Sequence, residues 1–327
     1  MMTDPNSERP APFGKRYEVH GRSLQTYRTG AADGDGDLSA GAGATVVLLP
    51  GGGSVGLDMW RVQEGVAQFA TVVSYDRGGT GWSSRDVTLP RTLAEVTGEL
   101  RNLLELLRAE GVSGPYIIVG HSLGGLYARY FATQHPEQVA ALVLIEPGHE
   151  DLRKYMPKEL TDLWDGFDPD AVLPDEIHEV PQEIRDFYRG LFQDAMAQFP
   201  AEIREPLVAN HVHRAWLRGG IQESSNVKAL GEEMRAVADA VPDVPTVLLT
   251  AMDIDPFKRA VIAGMSEELV AAETAGKLRL YDEVAASFTH GENRRVEGVG
   301  HVTLVMQRPD AVVDAVRDLM GLSRPAR

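Results

Sequence analysis

The chain of 327 residues contains no cysteine. The protein can therefore form no disulfide and hold no thiolate-bound metal or iron–sulfur cluster, and a cysteine nucleophile is excluded. No stretch approaches 18 consecutive apolar residues, and the first residues lack the apolar segment of a signal peptide. We therefore expect a cytoplasmic protein without a membrane span.

Basic residues are few relative to acidic ones, 32 against 48, which gives a formal net charge of −16. A charge of this sign repels nucleic acids and anionic membrane surfaces. We expect no nucleic-acid partner and no membrane partner, and a small, neutral molecule as the substrate. These features leave the oligomeric state open.

Short β-branched runs alternate with longer helical segments along most of the chain. Strands that are apolar throughout and separated by helices predict an α/β fold with a mostly parallel sheet of about eight strands, covered on both faces. The run of Gly, Ala and Asp at 31–44 predicts a surface loop. The predicted strands are RYEVHG, SLQTYRTG, TVVLL, ATVVSY, PYIIVG, VAALVLI, VPTVLLT and NRRVEG.

The alternation stops between residues 148 and 241, where no strand pattern is visible and prolines divide short helical stretches. We predict a helical cap insertion over 148–241. The core of the fold then comprises 17–147 and 242–327, after a polar leader at 1–16.

A glycine-rich stretch, LLPGGGSVG at 48–56, supports two hypotheses. Gly51, Gly53 and Gly56 form G-x-G-x-x-G after an apolar strand, and Asp76 closes the next strand about 20 residues further on, as in dinucleotide-binding oxidoreductases. The same loop, after an early strand, could also supply a backbone N–H group to an oxyanion.

A second glycine motif, Gly120-His121-Ser122-Leu123-Gly124, is G-x-S-x-G between an apolar strand and a helix. Glycines on both sides of the serine permit a tight strand-to-helix turn, which exposes the serine hydroxyl. The N-terminus of the following helix directs the Leu123 N–H toward the space beside that hydroxyl. The motif therefore predicts Ser122 as a nucleophile.

Five motifs together resemble the α/β-hydrolase family from about residue 17 to residue 319: GHSLGG, LLPGGG, SYDRGGTGWS, LVLIEPGHED and GVGHVTL. Their order along the chain is the order in which the family carries them. The sequence is similar to cap-bearing members that act on esters, lactones and related acyl compounds.

The resemblance implies an oxyanion hole formed by backbone N–H groups of Leu123 and of the glycine loop, where we favour Gly52 over Gly53. The family usually has His-Gly where this sequence has Pro50-Gly51. The difference affects the conformation of the loop rather than its role, because the donor is a backbone N–H group. Neither a cofactor nor a metal is implied.

A serine nucleophile needs a histidine base, and the histidine needs a carboxylate to orient it. His301 follows the last predicted strand, where this fold places its base. For the carboxylate we favour Glu146, at the end of VAALVLI, over Asp255 and then Asp253 in AMDIDP. Asp255 has the alternative role of capping a helix that starts at Pro256.

These residues predict a serine hydrolase that cleaves an ester, lactone or related acyl bond of a small, largely apolar molecule. Trp60, His149 and Tyr127 are candidates for the walls of the substrate pocket. The alternatives are an acyltransferase, cyclase, perhydrolase or C–C hydrolase of the same fold, and the dinucleotide-binding oxidoreductase.

Overall fold

The computed structural model describes residues 8–30, 45–174 and 176–322, so the predicted loop at 31–44 lies outside the described residues. The described residues form one sheet of eight strands. These are β1 (Lys15–Val19), β2 (Arg22–Thr29), β3 (Thr45–Leu49), β4 (Thr71–Tyr75), β5 (Tyr116–His121), β6 (Val139–Ile145), β7 (Thr246–Ala251) and β8 (Gly291–Val296).

The strands are arranged in the order β1-β2-β4-β3-β5-β6-β7-β8. The hairpin of β1 and β2 is antiparallel and adds to the edge at β4, and every pair from β4 to β8 is parallel. The predicted fold class is therefore confirmed. Because parallel strands end on the same side, the loops after β3, β5, β6, β7 and β8 meet at one edge of the sheet.

Fourteen α-helices accompany these strands within the described residues, together with 3₁₀ turns at Gly56–Met59, Pro136–Gln138 and Ala238–Ala240. The helices are α1 (Trp60–Val66), α2 (Leu93–Arg108), α3 (Leu123–Gln134), α4 (Leu152–Tyr155), α5 (Lys158–Asp165), α6 (Pro169–Val172), α7 (Gln182–Ala195), α8 (Ala201–His211), α9 (Arg214–Ser225), α10 (Val227–Arg235), α11 (Pro256–Val261), α12 (Glu267–Ala286), α13 (Leu304–Gln307) and α14 (Pro309–Leu319).

Both faces of the sheet are buried, as the apolar strands predict. Val46 and Leu48 of β3 pack into a core that includes residues of α1, α13 and α14, whereas Val47 and Leu49 pack into a second core with residues of α2, α3 and α12. Burial of each such side chain contributes roughly 1.5–3 kcal/mol. A shift of the strand by one residue would exchange the two sets, so the packing fixes the register of β3.

Helix α2 illustrates how a local pattern produces an element. Leu100, Leu103, Leu104 and Leu107 are buried on one face, and Thr92 caps the helix by accepting the N–H of the third helical residue. The sequence predicts a helix that continues to Gly111, whereas α2 ends at Arg108 and closes in a turn.

Helices α4 to α10 lie between β6 and β7, and the described part of this region contains no strand. Pro157, Pro181 and Pro200 stand at the N-caps of α5, α7 and α8, where a proline costs no intrahelical hydrogen bond. At Pro206 the structure differs from the prediction that prolines divide the helical stretches, because α8 continues through this residue. Burial of neighbouring residues such as Leu207 supports the helix there. Among the described residues, no helix is both long and apolar enough to cross a bilayer.

Candidate active site

Ser122 lies in a strained turn between β5 and α3. Its φ is 52° and its ψ is −119°, a conformation that side-chain-bearing residues rarely adopt and that occurs preferentially at functional sites. The neighbouring glycines leave the necessary space. An ideal Cβ on Gly120 would lie 2.5 Å from the carbonyl oxygen of Gly124, and one on Gly124 would lie 2.1 Å from that of Leu49. The turn thus requires small residues on both sides of the serine.

His301 connects Ser122 to a carboxylate. The loop between β8 and α13 carries this histidine, whose Nε2 is 3.0 Å from Ser122 Oγ and whose Nδ1 is 2.8 Å from Glu146 Oε2. Because an ionised carboxylate only accepts hydrogen bonds, Nδ1 carries the proton and Nε2 accepts from the serine hydroxyl. The histidine side chain is 39% exposed, so the ring borders a space open to solvent.

Glu146 follows β6 with a φ of 42° and is almost completely buried. Its Oε1 accepts the N–H of Ala251 at 3.0 Å and faces the Lys277 ammonium group at 2.7 Å. Burial would raise the pKa of this carboxyl, but the hydrogen bonds and charges of His301 and Lys277 outweigh burial and lower it to about 2. Glu146 is therefore ionised at neutral pH.

The two alternative aspartates, Asp255 and Asp253, hold the backbone near the histidine. Asp255 caps α11 by accepting the Lys258 N–H at 2.8 Å, and its second oxygen accepts the Val302 N–H at 2.7 Å. Asp253 accepts the Gly298 N–H at 2.6 Å. In the described part of the chain, neither aspartate has a hydrogen bond to the His301 ring.

His121 also holds the loop between β8 and α13 that carries His301. Its Nε2 donates to the carbonyl oxygen of His301 at 2.8 Å. Burial and the neighbouring His301 lower the pKa of His121 to about 3, so this ring stays neutral. The contact anchors the backbone of residue 301 to the end of β5.

The glycine loop after β3 lies beside the serine. An ideal Cβ on Gly51 would be 3.3 Å from Ser122 Cβ, and one on Gly52 would be 3.3 Å from Leu123 Cδ2. The N–H of Gly53 donates to Glu223 at 2.8 Å. Among the described residues, the N–H groups of Gly52 and Leu123 have no such acceptor. The geometry therefore favours Gly52 over Gly53 as a donor to a ligand.

Asp76 argues against a dinucleotide site. Its carboxylate is completely buried and accepts the N–H groups of Gly56 and Trp82, both at 2.9 Å, and the hydroxyl of Tyr27 at 3.0 Å. In a dinucleotide-binding protein this carboxylate would have to face the ribose hydroxyls of the ligand. Here it is enclosed, and it holds the start of the turn at Gly56 in place.

The candidate pocket residues have partners within the fold. Trp60 packs edge-on against Phe13, with ring centroids 5.3 Å apart. Tyr127 is buried beneath the Arg77 guanidinium, which lies 5.5 Å from its ring centre. His149 is nearly buried, and burial lowers its pKa to about 4. Their contact with a substrate stays a prediction.

Two charged side chains of the site were not predicted. Lys277 extends from α12 to Glu146, and Glu223 extends from α9 to the glycine loop. Glu223 is 146 positions away from Arg77, with which it pairs. Both lie inside ordinary helical patterns, so no local signal marks them. No cluster of three or more potential metal-ligating side chains occurs in the described residues.

Comparison with known proteins agrees with this architecture. The sequence profile of the Alpha/beta hydrolase family matches residues 46–315, from the glycine-loop strand to α14. The chain therefore belongs to the alpha/beta hydrolase family.

Individual relatives share part of the sequence or the whole fold. The chain is 36% identical over 119 residues to RutD of Azorhizobium caulinodans, which bears the name of a carbamate hydrolase; the match covers 35% of this chain and 43% of that protein. The chain thus matches less than half the length of this relative.

Two solved structures superpose over nearly the full chain. Cfl2 from Burkholderia cenocepacia has a TM-score of 0.63 and 19% identity, with 96% of this chain and 98% of that chain covered. A thermophilic esterase from Thermogutta terrifontis has a TM-score of 0.61 and 17% identity, with 94% and 98% covered. At these identities the likeness shows a shared fold.

Proposed function

We propose that the protein is a serine hydrolase that cleaves an ester, lactone or related acyl bond of a small, largely apolar molecule. The observation that carries the proposal is the chain of hydrogen bonds from Ser122 through His301 to Glu146, beside the Gly52 and Leu123 N–H groups. A nucleophile, a base, an orienting carboxylate and oxyanion donors are the parts that acyl transfer requires.

In the first half of the proposed reaction, His301 Nε2 takes the proton of Ser122 as Oγ attacks the substrate carbonyl carbon. The carbonyl oxygen becomes an oxyanion and accepts hydrogen bonds from the Gly52 and Leu123 N–H groups. When the tetrahedral intermediate collapses, His301 returns the proton to the leaving alkoxide, and the acyl group stays on Ser122.

In the second half, His301 takes a proton from water, and the resulting hydroxide attacks the acyl carbon. Collapse of this intermediate breaks the bond to Ser122 Oγ, which regains its proton from His301, and the acid is released. Glu146 remains ionised in both halves, because its role is to hold the proton on Nδ1 and to stabilise the imidazolium. No step requires a cofactor.

We further propose that the helical segment 148–241 is a cap over this site. Its helix α9 crosses the glycine loop so closely that an ideal Cβ on Gly53 would lie 3.1 Å from Gly220 Cα. An ideal Cβ on Gly52 would lie 2.5 Å from Ser224 Oγ, and Ser224 is exposed. Helix α9 therefore lies against the loop that carries the proposed oxyanion donor Gly52.

The chemistry of the nucleophile narrows the range of substrates. Epoxide opening and dehalogenation in this fold use a carboxylate nucleophile, whereas position 122 is a serine, which favours acyl compounds. Carbamates fall within this range, and the partial likeness to RutD supports including them.

A fluorophosphonate probe tests the nucleophile, since an activated serine displaces fluoride from phosphorus and forms a stable adduct. We expect mass spectrometry to locate one adduct, on Ser122, and none in Ser122→Ala. His301→Ala should slow labelling by about 10²- to 10⁴-fold, the usual contribution of a general base. A wild-type protein that is folded but not labelled would contradict the proposal.

Product analysis then separates hydrolysis from acyl transfer. Hydrolysis of p-nitrophenyl acetate and of a small lactone should yield acids that carry ¹⁸O from labelled water. A p-nitrophenyl carbamate should yield p-nitrophenol and an amine, because the carbamic acid that forms loses CO2. Transfer of the acyl group to an added alcohol or amine in preference to water would instead indicate an acyltransferase.

A further inference from the structure

Helix α9 reaches the glycine loop through a buried carboxylate. Glu223 is 5% exposed, and its Oε2 accepts the Gly53 N–H at 2.8 Å. The same carboxylate holds the Arg77 guanidinium with two hydrogen bonds, Nε to Oε1 at 2.6 Å and Nη2 to Oε2 at 2.9 Å. A paired contact of this kind fixes both direction and distance.

Arg77 in turn holds the carbonyl groups of the glycine loop. It is 1% exposed, and its Nη1 and Nη2 donate to the carbonyl oxygens of Pro50 at 2.8 Å and Gly51 at 2.7 Å. The Gly51 carbonyl and the Gly52 N–H belong to the same peptide group. In a trans peptide these two bonds point in opposite directions, so a donor that holds the carbonyl also directs the N–H away from itself.

Glu223 also compensates the buried positive charge of Arg77. Burial would lower the pKa of Arg77, and the Glu223 carboxylate reverses that shift. Without Glu223 the buried guanidinium would lose the carboxylate to which it is hydrogen-bonded, and it would have to move toward water. Such a movement would release the Pro50 and Gly51 carbonyls.

We propose that Glu223 is a positioning residue for the oxyanion site: through Arg77 and the Gly53 N–H, it holds the Gly52 N–H in the direction that a tetrahedral intermediate requires. The inference rests on the proposed function of Ser122. It means that the helical segment 148–241 takes part in the reaction through α9, in addition to covering the substrate.

The experiment uses the full chain and three variants. Glu223→Ala removes both contacts, and Glu223→Gln keeps the size of the side chain but removes its charge. The matched control is Glu233→Ala. Glu233 of α10 likewise accepts two backbone N–H groups of the core domain, those of Leu93 and Ala94, but these lie at the N-terminus of α2 and not in the glycine loop. Turnover of p-nitrophenyl acetate is expressed per site titrated with the fluorophosphonate, so that unfolded protein is not counted.

We expect kcat per titrated site to fall by about 10²-fold in Glu223→Ala and about tenfold in Glu223→Gln, since a misdirected oxyanion donor weakens only the transition state. KM should change less than about threefold. Glu233→Ala should match the wild type. A role confined to stability would lower the melting temperature and leave kcat per titrated site unchanged.

The outcomes separate this inference from the proposed function. A wild-type protein that the probe does not label contradicts the function itself. A labelled wild type with unchanged kcat in both Glu223 variants overturns the inference alone. Should Glu223→Ala not fold, Glu223→Gln decides the question: an unchanged kcat overturns the inference, and a lower kcat at constant KM supports it.

Discussion

Glu146 carries its charge where water cannot reach it, yet both of its oxygens have partners. One faces His301, and the other receives the Ala251 N–H and the Lys277 ammonium group. Because both oxygens of the carboxylate have partners, its orientation toward the His301 imidazole is fixed. Lys277 adds a counter-charge that keeps Glu146 ionised, so the carboxylate acts as a hydrogen-bond acceptor over the whole neutral range of pH.

Substituting the two competing carboxylates should have different effects on turnover. We expect Glu146→Gln to lower kcat by about 10³- to 10⁴-fold, because the amide no longer selects the required tautomer of His301. Asp255→Asn should lower the free energy of unfolding by about 1 kcal/mol, with a much smaller loss of kcat, because the amide NH2 cannot accept one of the two N–H groups, of Lys258 and Val302, that the carboxylate accepts. The measurements are p-nitrophenyl acetate turnover per titrated site and urea denaturation.

The reverse result would reassign the acid. If Asp255→Asn abolished turnover while Glu146→Gln retained it, the contact between Glu146 and His301 would not be the working one. In this comparison each variant serves as the control for the other.

Helix α9 contains two adjacent glycines, which is an unfavourable composition for a helix interior, since each costs up to about 1 kcal/mol relative to alanine. The contacts explain them. An ideal Cβ on Gly219 would lie 3.0 Å from the Gly79 carbonyl oxygen, and one on Gly220 would lie 2.8 Å from Gly53 Cα. Both obstacles are backbone atoms, so the helix itself would have to move.

Gly220→Ala should therefore reduce turnover although alanine favours the helix. We expect kcat per titrated site to fall by at least about tenfold, because α9 would be displaced from the glycine loop and the Glu223 contacts would lengthen. The matched control is Gly190→Ala in α7, where an added Cβ meets no atom within 4 Å.

The control should raise the free energy of unfolding by about 0.5–1 kcal/mol and leave turnover unchanged. Circular dichroism and urea denaturation give the stabilities. Equal turnover in Gly220→Ala and Gly190→Ala would show that the close approach of α9 to the loop does not matter for the reaction.

Two buried carboxylates give the stability of the whole protein opposite dependences on pH. Burial raises the pKa of Asp76 from 3.8 to about 7, so the folded protein binds this proton before the unfolded chain does, and stability rises as the pH falls through about 7. Burial of Glu146 is outweighed by His301 and Lys277, which lower its pKa from 4.5 to about 2. Its contribution of about 3 kcal/mol is present above about pH 4.5 and is lost as the pH falls toward 2.

His121 and His149 oppose Asp76 below about pH 6.5, because burial lowers their pKa values to about 3 and about 4 and the unfolded chain therefore binds these two protons first. We therefore expect the free energy of unfolding to be greatest between about pH 6 and 7. The net charge of −16 also decreases in magnitude as the pH falls from 8, which reduces self-repulsion. Urea denaturation from pH 8 to pH 2 measures the curve. Asp76→Asn should flatten its neutral side, and Glu146→Gln its acid side.

An unchanged neutral side in Asp76→Asn would assign that slope to net charge alone. Repeating the series at high salt distinguishes the two causes, because salt screens long-range repulsion and has little effect on a fully buried carboxyl.

The order of elements, the fold class and the serine turn could be predicted from the sequence because each depends on residues close together in the chain. β-branched runs form β3 to β7, Thr92 caps α2, and Gly120 and Gly124 permit the turn at Ser122. The place of His301 after the last strand also follows from the order of elements. Helix ends, such as that of α2, and the continuation of α8 through Pro206 depend on packing and were predicted less well.

The choice among the carboxylates required the folded molecule. Neighbouring parallel strands, β6 and β7, bring Glu146 and Asp255 to the same edge of the sheet, and sequence alone does not show which one meets the imidazole. That depends on the path of the loop at 301, which is held by Asp255 from 47 positions away and by His121 from 180 positions away. The contacts of Lys277 and Glu223 were equally invisible, since a residue inside a regular helix carries no local sign of what it touches across the fold.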